Sequence, residues 1–279
     1  VNEVALTGIS DGNGRFSILA IDHRDSLRRF LAPDDPDSLA AGDITALKIE
    51  LVDGVADLAT GVMLEPEYSI PQVIDAGALP SGVGFLAALE SQGYLTDPGA
   101  SPTTILDGWS IEQAGESGAA AAKLLLPYHP DRPLACAQEA VAEHVLAGCR
   151  AIGLPLALEP LFYDLDTPED RSRVVVATAR RFAAMQPDLL KLPYPGSVDA
   201  CEEVAAAVSM PWAMLSGGGA FDDFRDQFTI AATAGCSGFM VGRALWGEAA
   251  RAAPQDRAAL VREVVRPRFE QLVAINSIA

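Results

Sequence analysis

Lysine is scarce in this chain. Lys and Arg together number 20, and only Lys48, Lys123 and Lys191 are lysines. The distinction is chemical, because an amine can lose its proton and attack a carbonyl to form a Schiff base, whereas a guanidinium stays protonated. Lys191 lies in D-L-L-K-L-P, between Leu189, Leu190, Leu192 and Pro193. Apolar neighbours disfavour the ammonium and would lower its pKa, favouring a nucleophilic amine. The plainer alternative is a lysine whose stem packs on a strand while its charge reaches the rim. Lys123, in A-A-K-L-L-L, would serve as a second cation that depresses the first or orients a substrate oxygen. Its structural alternative is an ion pair with Glu159 or Asp22. Lys48 follows Asp43 in a segment where Ile44, Leu47, Leu51, Val55 and Leu58 repeat every three or four residues. That spacing predicts an amphipathic helix with Asp43 as N-cap and Lys48 on its solvated face.

Other candidates stand at the ends of apolar runs. Glu159 in L-A-L-E-P could shuttle protons or form only a salt bridge. Asp22 in A-I-D-H-R could hold a lysine, accept a substrate hydroxyl or simply cap a helix, with His23 and Arg24 beside it. Glu65 and Glu67 close V-M-L-E-P-E. Ser216 with Gly217, Gly218 and Gly219 offers successive backbone N–H groups, and Gly242 and Arg243 follow in G-F-M-V-G-R. Such loops, with a helix N-terminus and an arginine, suit a phosphate, tight turns being the alternative. No close pair of histidines supports a metal, and none is expected.

These residues must be positioned by elements that alternate. Strand candidates are 16–22, 61–66, 82–90, 121–128, 154–160, 188–193, 211–218 and 237–243. Helical periodicity occupies 135–152, 168–185, 197–208, 221–234 and 255–275. Ser110 followed by Gln113 reads as a capping box. Residues 91–109 form a longer connection with room for a short hairpin. Eight apolar strands, each followed by a helix, predict one (β/α)8 TIM barrel spanning 1–279, whose active site gathers at the C-terminal ends of the strands. An open doubly wound sheet is the alternative, but the first strand lacks a G-x-G-x-x-G turn.

Composition excludes several classes of function. Hydrophobic residues make up 49% of the chain and support a large core, unlike a disordered protein. A net charge of −18 argues against nucleic acid or an acidic membrane surface as partner. Cys136, Cys149, Cys201 and Cys236 form no C-x-x-C pair and read as reduced thiols. No leader-like segment or bilayer-length apolar run is evident, so a cytoplasmic location is expected.

In this order, A-I-D-H-R-D-S-L, V-M-L-E-P-E-Y, A-A-K-L-L-L, L-E-P, D-L-L-K-L, M-P-W-A-M-L-S-G-G and A-G-C-S-G-F-M-V-G-R-A-L-W resemble a known family. It is the class I, Schiff-base aldolases of the tagatose-1,6-bisphosphate aldolase group, with their sulfofructose-phosphate relatives. The resemblance spans most of the chain. It implies a (β/α)8 barrel with Lys191 as the Schiff-base lysine, Glu159 as the proton-transfer carboxylate and Lys123 as a substrate-orienting amine. Asp22 and Arg24 would face the sugar, and Ser216, Gly217 and Arg243 would hold a phosphate.

Three positions depart from the pattern. His23 replaces a usual Gln, Pro193 a usual acidic residue, and Glu65 a frequent Asp. The expected reaction is reversible cleavage of a phosphorylated ketose to dihydroxyacetone phosphate and an aldehyde, without a cofactor. The expected partner is the small phosphorylated sugar, and a homo-oligomer is compatible because barrels of this group often assemble. Two alternatives share the phosphate site: an isomerase or epimerase using Glu159 as base without a covalent intermediate, and a non-catalytic sugar-phosphate-binding barrel. Borohydride trapping on Lys191 separates the first alternative from an aldolase, and ligand binding without turnover would mark the second.

Overall fold

The structure, a computed structural model, describes residues 6–165 and 167–278. Eight parallel strands close into a barrel: β1 Phe16–Ala20, β2 Gly61–Leu64, β3 Gly84–Ala88 and β4 Ala121–Pro127, then β5 Leu156–Leu161, β6 Leu189–Pro193, β7 Trp212–Leu215 and β8 Gly238–Val241. Each strand pairs with the next, and β8 closes on β1 through Phe16 opposite Gly238. The fold is therefore the expected (β/α)8 barrel, in which closure leaves no unpaired sheet edge.

The strands are apolar on both faces because they divide two cores. Phe16, Ile18, Ala20, Met63, Leu86, Ala121, Ala157, Leu189, Ala213 and Met240 point inward and pack with Leu6 and Ile9. The alternate residues pack against the surrounding helices. This period of two decides which rim residue faces the cavity: Lys123 follows the inward parity of Ala121, Glu159 that of Ala157, and Lys191 that of Leu189. Small residues leave room near the opposite end. A Cβ on Gly84 would lie 2.1 Å from the Gly8 carbonyl oxygen.

The helices are α1 Asp25–Leu31, α2 Ala41–Val55, α3 Ile70–Asp75, α4 Ile111–Glu116, α5 Ala135–Ile152, α6 Pro168–Ala183, α7 Val198–Ala207, α8 Phe221–Thr233 and α9 Arg243–Arg251. The expected helix over 255–275 is α10 Pro254–Leu260 and α11 Arg266–Ile278, joined by a π-helical turn at Val261–Val265. There Val261 packs over Gly54 of α2, so closely that a Cβ would lie 2.3 Å from it. Ser110 does cap α4, accepting from the Gln113 N–H at 3.1 Å. Asp43 does not cap α2: the cap position is Ala40, and Asp43 lies in the first turn. The expected hairpin in 91–109 reduces to one antiparallel bridge, Glu90 with Ile105, and a 3-10 turn at Gly93–Leu95. Cys149, Cys201 and Cys236 are buried, Cys136 is exposed, and all four are free thiols. No helix among the described residues is long and apolar enough to cross a membrane.

Candidate active site

A cavity opens at the C-terminal ends of the strands, lined by Asp22, His23, Lys123, Glu159 and Lys191 on one side and by Ser216, Gly217, Gly218, Gly242 and Arg243 on another. At its floor two buried amines share one carboxylate. Lys191 Nζ lies 2.8 Å from Glu159 Oε1, and Lys123 Nζ lies 3.0 Å from Glu159 Oε2. Residues on alternate strands of a barrel meet in one layer, which is why β4 and β6 deliver their lysines to opposite oxygens of a β5 side chain.

The two amines differ in their other partners. Lys123 also donates to Asp22 Oδ2 at 2.8 Å and to Glu90 Oε1 at 2.6 Å, so three carboxylates surround its ammonium, two of them as hydrogen-bond acceptors. Burial alone would lower its pKa, but Asp22, Glu159 and Glu90 together raise it well above the ordinary lysine value. Lys123 is thus a fixed ammonium. For Asp22, burial pushes the carboxyl up, and the charges of Lys123 and Lys191 outweigh it, holding the group far below the usual range. Among the described residues Lys191 pairs with one carboxylate, Glu159, and also approaches the Met63 sulfur at 3.6 Å. Of the two, Lys191 has the fewer carboxylate contacts among the described residues.

Glu90, the third carboxylate of the cage, was absent from the sequence-derived site. Its signal was present, since Gly84, Leu86 and Ala88 set an inward parity that Glu90 continues. It also accepts from the Leu125 N–H at 3.1 Å, which fixes its orientation. Tyr94 and Gln92 were missed too. They sit in the loop after β3 and line the cavity, and nothing in their local pattern distinguishes them from ordinary loop residues. Burial holds the Tyr94 phenol above its ordinary pKa although the Lys123 charge opposes this, so it enters the site as a neutral donor.

The second wall has a different character. Gly217 and Gly218 take φ of +59° and +79°, the left-handed region that glycine occupies without strain. A Cβ on Gly218 would lie 3.3 Å from Arg243 Nη2, so the bare glycine gives the guanidinium its place. Ser216 Oγ accepts from the Gly242 N–H at 3.4 Å, joining the β7 and β8 loops at the N-terminus of α9. Arg243 Nε has no hydrogen-bond partner among the described residues, and the guanidinium stands 5.8 Å above the Phe30 ring. Backbone N–H groups, a helix N-terminus and an unpaired guanidinium are what an anionic group requires.

Several sequence expectations need correction. Arg24 does not face the cavity. It is buried, donates to Glu67 Oε2 at 3.1 Å and to the Glu90 carbonyl, and so braces the loop that carries Glu90. Lys48 is not on a solvated face: it is 1% exposed and pairs with Glu65. Glu65 in turn accepts from the Glu67 N–H at 2.7 Å and from Ser69 Oγ at 3.0 Å, so it belongs to a structural network beside the site. His23 does line the cavity. Its ring meets Trp246 edge-on at 5.3 Å and lies where a Cβ on Gly242 would intrude. Burial, outweighing the pull of Asp22, pushes it down to about 3, so it is a neutral ring at ordinary pH. Among the described residues no group of three or more His, Cys, Asp or Glu is arranged to hold a metal ion.

Known proteins share this architecture. Residues 16–248 match the DeoC/LacD family aldolase. The chain is 29% identical to the tagatose 1,6-diphosphate aldolase of Streptococcus pneumoniae, covering 99% of this chain and 94% of that one. It is 28% identical to the tagatose 1,6-diphosphate aldolase of Lactococcus lactis, over 98% and 94%. A solved Schiff-base-forming fructose-1,6-bisphosphate aldolase superposes with a TM-score of 0.68 at 20% identity, covering 95% of this chain and 98% of that one. An archaeal fructose-1,6-bisphosphate aldolase, solved with its catalytic Lys covalently bound to a carbinolamine intermediate, gives 0.67 at 20%, over 97% and 99%. The structural likenesses concern the barrel. The family match covers most of the chain, and by it this protein belongs to the DeoC/LacD aldolases, enzymes of the lyase class.

Proposed function

We propose that the chain is a class I aldolase that reversibly cleaves a phosphorylated ketose to dihydroxyacetone phosphate and an aldehyde through a Schiff base on Lys191. The observation that carries this is the asymmetry of the two amines. Lys123 is saturated by three carboxylates, whereas Lys191 makes one carboxylate contact and faces the cavity. The names of the curated relatives, tagatose 1,6-diphosphate aldolases, agree with the reaction class.

In the cleavage direction the phosphate seats at Ser216, Gly217, Gly218 and Arg243, and this places the ketone of C2 over β6. Lys191 adds to that carbonyl. Glu159, 2.8 Å from the amine, takes the proton released on attack and returns it to the departing hydroxyl of the carbinolamine, leaving an iminium. A base then removes the proton of the C4 hydroxyl, the C3–C4 bond breaks, and its electron pair flows into the iminium to give an enamine. Glu159 fills this role too, with Lys123 and Asp22 orienting the hydroxyl. Protonation of C3 and hydrolysis by water release dihydroxyacetone phosphate and restore the amine.

Borohydride reduction in the presence of dihydroxyacetone phosphate tests the proposal. A reduced adduct should map to the peptide bearing Lys191 and vanish in Lys191→Met, while Lys123→Met should still be labelled. Labelling on Lys123, or cleavage that persists in Lys191→Met, would overturn it.

A further inference from the structure

The charges around the cavity say more about the substrate, on the basis of the aldolase reading just given. Three cations line it: Lys123, Lys191 and Arg243. Lys123 is neutralised by its cage, and Lys191 is the amine that must meet a carbonyl. Arg243 is the one that forms no ion pair among the described residues, with Nε unpartnered. It opens α9 directly after β8, on the wall formed by the β7 and β8 loops, in the same cavity as Lys191.

The other end of the cavity is neutral. Its wall there is Ser26, Gln92, Tyr94, Leu125 and Leu161. His23 supplies no charge, for the reason given above. The rim arginines outside it are engaged: Arg24 with Glu67 at 3.1 Å, Arg132 with Asp164 at 3.5 Å and Arg173 with Asp131 at 2.7 Å. Arg29 donates to Thr96 Oγ1 at 3.3 Å. Among the described residues a second phosphate at this end would meet no cation without a partner, would stand in the field of Asp22, Glu90 and Glu159, and would approach a chain of net charge −18.

We propose that the substrate carries one strongly anionic group, seated at Ser216, Gly217, Gly218 and Arg243, and that the aldehyde half is uncharged. The substrate class is then a ketose 1-phosphate, and the reverse reaction joins dihydroxyacetone phosphate to a neutral hydroxyaldehyde. In that direction C3 of the enamine bonds to the aldehyde carbon, the aldehyde oxygen takes a proton, and water hydrolyses the resulting iminium to free the ketose. This differs from the bisphosphate named for the curated relatives. Specificity would arise because a phosphorylated aldehyde must break a rim ion pair or remain uncompensated, whereas neutral hydroxyls find Tyr94, Gln92 and Ser26.

The test runs the condensation with dihydroxyacetone phosphate and two acceptors, glyceraldehyde and glyceraldehyde 3-phosphate, each as a racemate. It is paired with borohydride trapping of dihydroxyacetone phosphate alone. The expected result is a kcat/KM for glyceraldehyde equal to or above that for its phosphate, and an Arg243→Gln variant that traps dihydroxyacetone phosphate about 10- to 100-fold less efficiently, the loss of a charged hydrogen bond. A kcat/KM at least about tenfold higher for glyceraldehyde 3-phosphate, with trapping on Lys191 intact, would overturn the single-anion proposal and leave the aldolase reading standing. Absence of any trapped adduct would overturn the aldolase reading and the proposal with it.

Discussion

Replacing Lys123 with Met should make the stability of this protein depend on pH in a way the wild type's does not. Three carboxylates meet the Lys123 ammonium, and each retains something different when it is gone. Glu159 keeps Lys191 at 2.8 Å, and Glu90 keeps the Leu125 N–H at 3.1 Å. Asp22 keeps the neutral His23, at 3.9 Å, and the more distant charge of Lys191. Asp22 therefore loses its nearest cation and its hydrogen-bond donor, and burial, the largest influence on it, is then opposed mainly by Lys191, so its pKa rises.

In the wild type the folded carboxyl titrates below its ordinary value of 3.8, so its contribution is present above that value and is lost only as acid approaches the folded pKa. In the variant the folded pKa lies above the unfolded one, so the sign reverses. Folding then takes up a proton, at a cost that grows by about 1.4 kcal/mol for each pH unit above 3.8 until the folded pKa is reached. At about pH 7 the limiting cost of protonating Asp22 is about 4 kcal/mol, and at about pH 5 it falls to about 2 kcal/mol. Denaturant unfolding of both proteins at several pH values between these limits measures it. The gap should narrow by up to about 3 kcal/mol on acidification. A gap that stays constant would refute the cage as an electrostatic unit and leave only lost packing.

Further tests address other parts of the site. Glu159→Gln should leave borohydride trapping at Lys191 detectable but lower the turnover number about 10²- to 10⁴-fold, the range for loss of a general acid and base; steady-state cleavage within tenfold of wild type would remove Glu159 from proton transfer. Lys48→Met should destabilise the fold by up to about 3 to 5 kcal/mol, because Glu65 stays buried without its counter-charge and keeps only the Glu67, Tyr68 and Ser69 donors, while the residual folded enzyme keeps a near-normal KM; this is read by denaturant unfolding and initial rates. Gly218→Ala places a methyl 3.3 Å from Arg243 at a φ of +79°, so it should raise KM for dihydroxyacetone phosphate and lower thermal stability, by about 1 kcal/mol or more. An unchanged KM would detach that loop from the phosphate.

The arrangement joins an electrostatic core to an apolar barrel. Lys123 does not need to react in order to matter. Its charge fixes the direction of three carboxylates, and Arg24 and Gln92 hold the loop carrying Glu90. Gln92 Oε1 accepts from the N–H groups of Arg24 and Ser26, both at 3.3 Å, which ties the β1 and β3 loops together. Sites preorganised in this way avoid reorganisation when charge develops during reaction.

The amino-acid sequence determined the barrel and most of the rim by itself. Continuous apolar strands ending in polar residues can be satisfied only where both faces are buried and one end is open, and that argument located Lys123, Glu159, Lys191 and the glycine loops before any coordinates. It also favoured lysine chemistry, through the scarcity of that residue. Tertiary structure decided which polar residues face each other. Lys48 lies on a helix whose pattern looked solvated, yet it pairs with Glu65 from another element, and Arg24 turns from the cavity to Glu67 and the Glu90 backbone. Glu90 was legible from strand parity, whereas its bond to Lys123, 33 positions away, was not. The reason is one of range: periodicity reports the face a residue occupies within its own element. The partner of a buried charge is set by packing between elements distant in sequence, and here that packing gives Lys123 three carboxylates and Lys191 one among the described residues.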